Sequence, residues 1–137
     1  MLPKVVVKTV PHRILILENP MSYQEQAHTT ALYGDNVEYP FMSLAEESGE
    51  VIGKLGKYIR KNNVCTGDAV LAAADPAQPI EVELREDIIK ELGDLQWQLA
   101  ECCTVLGITL EELQHHNLVK IQGRVARGTV EGAGDDR

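Results

Sequence analysis

Apolar residues recur at helical spacing over most of this chain and take an extended pattern only near its start. Residues 5–10 and 13–17 are rich in β-branched or aliphatic side chains, and Pro11 and Pro20 punctuate them. That pattern predicts an extended or β segment over residues 1–20. The period changes at Ser22. Ser22 and Glu25 form a capping-box pair that opens a helix over about 23–32. Gly34-Asp35-Asn36 reads as a loop, and Pro40 begins a second helix over about 41–61. Its apolar contacts are Leu44, Val51, Leu55, Tyr58 and Ile59. Gly49, Gly53 and Gly56 weaken it by propensity, and their spacing implies close approach of another helix or a ligand. Residues 62–80 are a connector in which 69–74 form a short helix or a flap. A third long helix starts at Val82 or Asp87 and stops at Gly107, with Ile88, Leu92, Leu95, Leu99 and Cys102 as its stripe. Thr109 and Glu112 form a second capping box, opening a helix that runs to about Arg127. The expected fold is all-α, a single domain over 1–137 with about four helices in a bundle. Residues 128–137 form a glycine-rich, charged tail.

Composition narrows the function. At 137 residues the chain is large enough for its own core, and 44% hydrophobic with 25% charged residues is ordinary for a soluble domain. A formal net charge of −8 argues against gripping polymeric nucleic acid by bulk electrostatics. It leaves a phosphate substrate open, because bound cations reverse the local sign. No apolar run reaches the roughly 20 residues of a membrane span. Cys65, Cys102 and Cys103 lack metal-type spacing and read as reduced, buried packing residues in a cytosolic setting.

Two acidic blocks carry the chemistry. Glu46-Glu47-Ser48-Gly49-Glu50 and Glu91-Leu92-Gly93-Asp94 each lie inside a long helical pattern. Glu47 and Glu50 project from one helix face, as do Glu91 and Asp94. Paired carboxylates repel, and two such pairs facing each other need a cation between them. Oxygen-only ligands favour Mg²⁺ or Mn²⁺. The rival reading of each block is a solvated helix surface, but two blocks on helices that a small bundle brings together favour a metal site.

Other candidates are less specific. Lys54, Lys120, Arg124 and Arg127 form either ordinary surface charge or a clamp on a phosphate chain. Trp97, three residues beyond Asp94, either stacks on a base or packs in the core. Glu112 and His115 have the spacing of di-iron bundle proteins, but three residues beyond Glu47, Glu50 and Glu91 lie Glu50, Gly53 and Asp94 instead of histidine, so His115 and His116 read as a surface pair.

The two blocks together resemble the MazG-like nucleotide pyrophosphohydrolases of the all-α NTP pyrophosphatase group. The likeness spans about residues 22–137. It extends to Leu106-Gly107-Ile108-Thr109-Leu110-Glu111-Glu112, to Asn117-Leu118-Val119-Lys120, and to the ending with Arg127, Gly128, Asp135 and Arg137. The resemblance implies a MazG-like helical bundle that hydrolyses a nucleoside triphosphate to monophosphate and pyrophosphate. It implies two or more Mg²⁺ ions held by Glu47, Glu50, Glu91 and Asp94, with Mn²⁺ substituting. Glu46 or Glu47 would orient the water or take its proton. Lys54, Trp97, Asn117, Lys120, Arg124, Arg127, Asp135 and Arg137 would contact substrate. A homodimer or homotetramer in the cytoplasm is implied, that of the host if the chain is phage-encoded. The chain is compatible with the phage MazZ-type branch, which acts on guanine deoxynucleotides. It departs from the common pattern in a longer gap after Glu50, in Gln96 and Gln98 beside the Trp, and in its extended first 20 residues.

Overall fold

The computed structural model describes residues 21–75 and 79–131, of which 79–82 by their backbone alone. Among the described residues it has five α-helices and no strand: α1 (Tyr23–His28), α2 (Tyr39–Asn62), α3 (Thr66–Ala74), α4 (Pro79–Leu106) and α5 (Leu110–Arg127). The extended segment expected over residues 1–20 lies outside the described residues, as does the end of the tail with Asp135 and Arg137.

Helix ends follow local chemistry. Ser22 and Glu25 form the expected capping box on α1, and Thr109 and Glu112 form the one on α5. Contrary to the expected run to about residue 32, α1 stops at His28. The hydroxyls of Thr29 and Thr30 donate to the carbonyls of Gln26 and Ala27, at 2.6 and 2.7 Å, and so satisfy the backbone without further helix. Asn63 closes α2 in the left-handed conformation at φ 51°, and Gly107 at φ 69° turns the chain from α4 into α5.

The α2–α4 contact is the spine of the molecule, and α1 and α3 pack beside it. The connector is part of this structure. Within it α3 buries Ala69 and Ala73 while packing on α2 and α4, and Arg85 of α4 donates to the Ala73 carbonyl at 3.3 Å. Gln24 fixes α1 to the far end of α4. Its amide donates to Thr104 Oγ1 and to the Ile108 carbonyl, both at 3.0 Å, and accepts from the Leu110 N–H at 2.7 Å.

Three expectations change. A Cβ added at Gly49 or Gly53 would meet nothing within 4 Å, so these glycines mark open helix surface and not a close crossing. Leu92 is 47% exposed, so the α4 stripe is not purely aliphatic; its buried members include Glu91, Gln98 and Glu101. Cys102 and Cys103 are buried as expected, but Cys65 is exposed and caps α3, its sulfur accepting from the Asp68 N–H.

Placing Leu at the fully buried Ala69 should overpack the α3 contact and cost about 1–3 kcal/mol. Urea unfolding checks this. An unchanged midpoint would show that α3 is peripheral to the core.

Candidate metal centre

α2 and α4 run antiparallel and meet along polar faces. Ser43, Glu47, Glu50 and Lys54 recur at helical spacing on α2, and Asp87, Glu91, Asp94, Gln98 and Glu101 do so on α4. Lys54 Nζ lies 2.9 Å from Glu91 Oε1. Two turns away Gln98 donates a side-chain hydrogen bond to Glu47. These pairings set the register of the seam.

One carboxylate oxygen from each of Glu47, Glu50 and Glu91 lies within 4.8 Å of the others. Glu91 is buried, Glu47 half-buried and Glu50 exposed, so the trio opens to solvent on one side. Asp94 stands outside this trio, but its charge acts on Glu47. Burial first, then the charges of Asp94 and Glu50, push the Glu47 carboxyl above the usual carboxylate range, against the Gln98 hydrogen bond. The Lys54 ammonium is pushed up mainly by its hydrogen bond to Glu91.

The donor set suits a hard divalent cation. All three donors are oxygen, and their summed charge exceeds that of Lys54, the ammonium paired there among the described residues. Mg²⁺ takes its ligands at about 2.0–2.1 Å, so donors this close need only a small inward movement to share one ion.

A second polar cluster continues the same α4 face. Glu101 is wholly buried. Its Oε2 accepts from the Tyr33 hydroxyl at 2.7 Å and lies 2.9 Å from His28 Nδ1. Among the described residues, Glu101 Oε1 and Gln98 Oε1 are both buried without a hydrogen-bond partner. Burial and the Glu101 hydrogen bond push the Tyr33 hydroxyl up to about 12. Tyr23 is raised by burial and then by Asp94 and Glu101, which places it by both acids.

The other expected site residues fall as follows. Glu46 is exposed on α2, beside the trio in sequence. Trp97 is half-buried and donates from Nε1 to Thr30 Oγ1 at 2.9 Å. Asn117, Lys120 and Arg127 are exposed on α5, and Arg124 is half-buried there. The main helix neighbour of α5 is α4, so the described helix contacts do not bring these groups to the trio. His115 and His116 are exposed and meet edge to face. Gln98 stood out in the sequence only as a departure beside the Trp, and Glu101, His28 and Tyr33 were missed. The signal for Gln98 and Glu101 was present: they extend the Glu91–Asp94 spacing by two further steps along one helix face.

The MazG nucleotide pyrophosphohydrolase domain model matches residues 39–128, which include α2 through α5 and the whole acidic seam. The chain is 33% identical over 123 residues to the Gene 37 protein of Mycobacterium phage L5, with 84% of this chain and 96% of that protein covered. No solved structure matches.

The raised Glu47 pKa has a definite sign in the metal-free protein. The folded state holds this proton more tightly than the unfolded chain. The group therefore lowers stability as pH rises from its unfolded value, near 4.5, through its folded value. Asp94→Asn should bring the Glu47 pKa down. NMR titration of the glutamate side-chain carboxyl carbons reads this directly, and an unmoved Glu47 would show that Asp94 does not act there.

Proposed function

The chain belongs to the MazG nucleotide pyrophosphohydrolase family, and we propose that it hydrolyses a nucleoside triphosphate to the monophosphate and pyrophosphate at the α2–α4 seam. The observation that carries this reading is the convergence of Glu47, Glu50 and Glu91 from two helices. Members of the family depend on metal, and this trio supplies an oxygen site suited to it.

Glu47, Glu50, Glu91 and Asp94 are the proposed ligands for two or more Mg²⁺ ions, with Mn²⁺ substituting. Bound there, the metal supplies Lewis acidity and a water of lowered pKa. Glu46 or Glu47 accepts the proton of the attacking water; the raised proton affinity of Glu47 suits that task. Gln98 orients Glu47 by its hydrogen bond. Lys54 stands at the trio and turns to the phosphate chain when its carboxylate partner is otherwise neutralised. Trp97, three residues beyond Asp94 on α4, is the proposed stacking partner for the base, and the proposed substrate is a ribo- or deoxynucleoside triphosphate, with dGTP or another purine dNTP the candidate.

Asn117, Lys120, Arg124 and Arg127 need a different route to the substrate. Leu118, Val119 and Val125 expose apolar surface on the same helix, and Met42 and Ile52 do so on α2. A homodimer or homotetramer would cover such surface and bring the α5 cations toward a neighbouring site, where Asp135 and Arg137 of the tail would also serve. No described helix is long and apolar enough to cross a membrane. The acidic balance argues against a polymeric nucleic-acid partner.

Incubation with a panel of dNTPs and Mg²⁺ should release pyrophosphate and monophosphate, and EDTA should abolish the release. Full turnover without metal would sink the mechanism. Glu50→Gln removes one ligand charge at near-constant shape. It should lower kcat by about 10²-fold or more, the scale of a lost electrostatic contact in a reacting site. Near-normal turnover would remove Glu50 from the ligand set. Light scattering should give a mass two or four times that of the chain, and a monomer would leave the α5 cations without their proposed role.

A further inference from the structure

The seam has two chemically different ends. Near Glu91, a pocket is lined by Lys54, Lys57, Lys61 and Asn62 together with Asp87 and Glu83. Three ammonium groups there suit the phosphate end of a nucleotide. At the other end, successive turns of α4 carry two buried oxygens without a partner among the described residues, Gln98 Oε1 and Glu101 Oε1. Gln98 is only 4% exposed and Glu101 is not exposed at all.

Buried acceptors left unpaired are costly and rare, and a ligand that supplies donors removes the cost. The surroundings hold both groups in place. Gln98 spends its amide N–H on Glu47, which leaves the carbonyl oxygen as its remaining group. Glu101 has its second oxygen occupied by Tyr33 and His28, which fixes where the first one points. Glu101 lies ten residues beyond Glu91, about 15 Å along the helix. Gln98 is hydrogen-bonded to Glu47 of the trio, so the pair begins beside the carboxylates, and a nucleotide with its phosphates toward Lys54 and Glu91 has its base toward Gln98 and Glu101.

We propose that Gln98 and Glu101 read the base, selecting guanine through its adjacent N1–H and N2–H₂ donors. This rests on the nucleotide-hydrolase reading and adds its specificity determinant. Two acceptors three residues apart on one face of α4 suit two adjacent donors, and guanine is the DNA base whose pairing edge offers them. Adenine and cytosine put a ring nitrogen acceptor beside their amino group. Thymine has one N–H between two carbonyls, which would face the carboxylate oxygen. His28 and Tyr33 cover this end of the seam through their contacts to Glu101, and the His28 side chain is 54% exposed. Gln98 then joins base reading to chemistry, because the same side chain touches Glu47.

The bland alternative is that Glu101 only pins the segment with His28 and Tyr33 onto α4. Selectivity separates the two roles. Glu101→Gln keeps the size and an acceptor for Tyr33, but presents an amide N–H₂ where the free oxygen was. Gln98→Leu removes the other acceptor without touching His28 or Tyr33. Each protein is titrated, in Mg²⁺, with dGMP, dIMP, dAMP and dTMP by calorimetry, and assayed for pyrophosphate release from the matching triphosphates. The wild type should favour guanine over hypoxanthine, which lacks the N2 amino group, by at least about tenfold. Either variant should reduce that ratio by at least about tenfold while keeping the helical circular-dichroism signal. A wild type without guanine preference, or variants that weaken all four bases equally, would overturn the assignment. Selective dGMP binding without pyrophosphate release from any triphosphate would uphold the base site and sink the hydrolase reading. Release without base selectivity would do the reverse.

Discussion

Everything in this fold is arranged around carboxylates that two antiparallel helices force together. Glu47 and Glu50 from α2 meet Glu91 from α4 across a seam that also sets the packing of α1 and α3. Two like charges about 4 Å apart near a protein surface repel by about 4 kcal/mol at an effective dielectric of 20. Among the described residues, Lys54 is the cation ion-paired into this cluster, through Glu91. One ammonium against three carboxylates leaves a local excess of negative charge. The upward push on Glu47 is the same excess seen as proton affinity. A seam built for stability alone would place leucines at these positions, because well-packed apolar side chains often stabilise a protein more than the buried charges they replace.

The site therefore stores an electrostatic demand that a divalent ion answers. Binding to the folded state alone makes metal affinity a contribution to stability as well as to chemistry. The rest of the molecule holds the seam in register while that demand is unmet. Ala69 and Ala73 let α3 pack closely on the two long helices. Gln24 and Trp97 tie α1 and its following turn to α4, to the turn after it and to the start of α5 through hydrogen bonds of 2.7–3.0 Å. With the flanks fixed, the carboxylates have little freedom to separate, and preorganised ligands lose less on binding an ion.

Much of this was legible in the sequence, for identifiable reasons. The Ser22 and Thr109 capping boxes are local chemistry, so they survive any tertiary context. The carboxylate pairs stand out because charge inside an apolar helical pattern is unusual. The polar half of the α4 stripe was harder. A search for apolar periodicity follows Leu92, which proves 47% exposed, and passes over Gln98 and Glu101 on the neighbouring face. Burial of Glu101 depends on Tyr33 and His28, 68 and 73 residues away in sequence, and no local pattern encodes that contact. The glycines of α2 misled for a related reason: a missing Cβ permits close approach but does not require it, and the space beside Gly49 and Gly53 is open.

The central claim is that the seam binds a divalent cation through Glu47, Glu50 and Glu91. The most direct measurement is a Mn²⁺ titration followed by the paramagnetic resonance signal of the free ion. It needs neither substrate nor turnover. The account predicts that the protein removes Mn²⁺ from solution saturably, that Mg²⁺ displaces it, and that Glu91→Gln weakens the binding by at least about tenfold, the scale on which metal sites respond to lost supporting groups. A free-ion signal that rises in proportion to added Mn²⁺ from the first aliquot would contradict it.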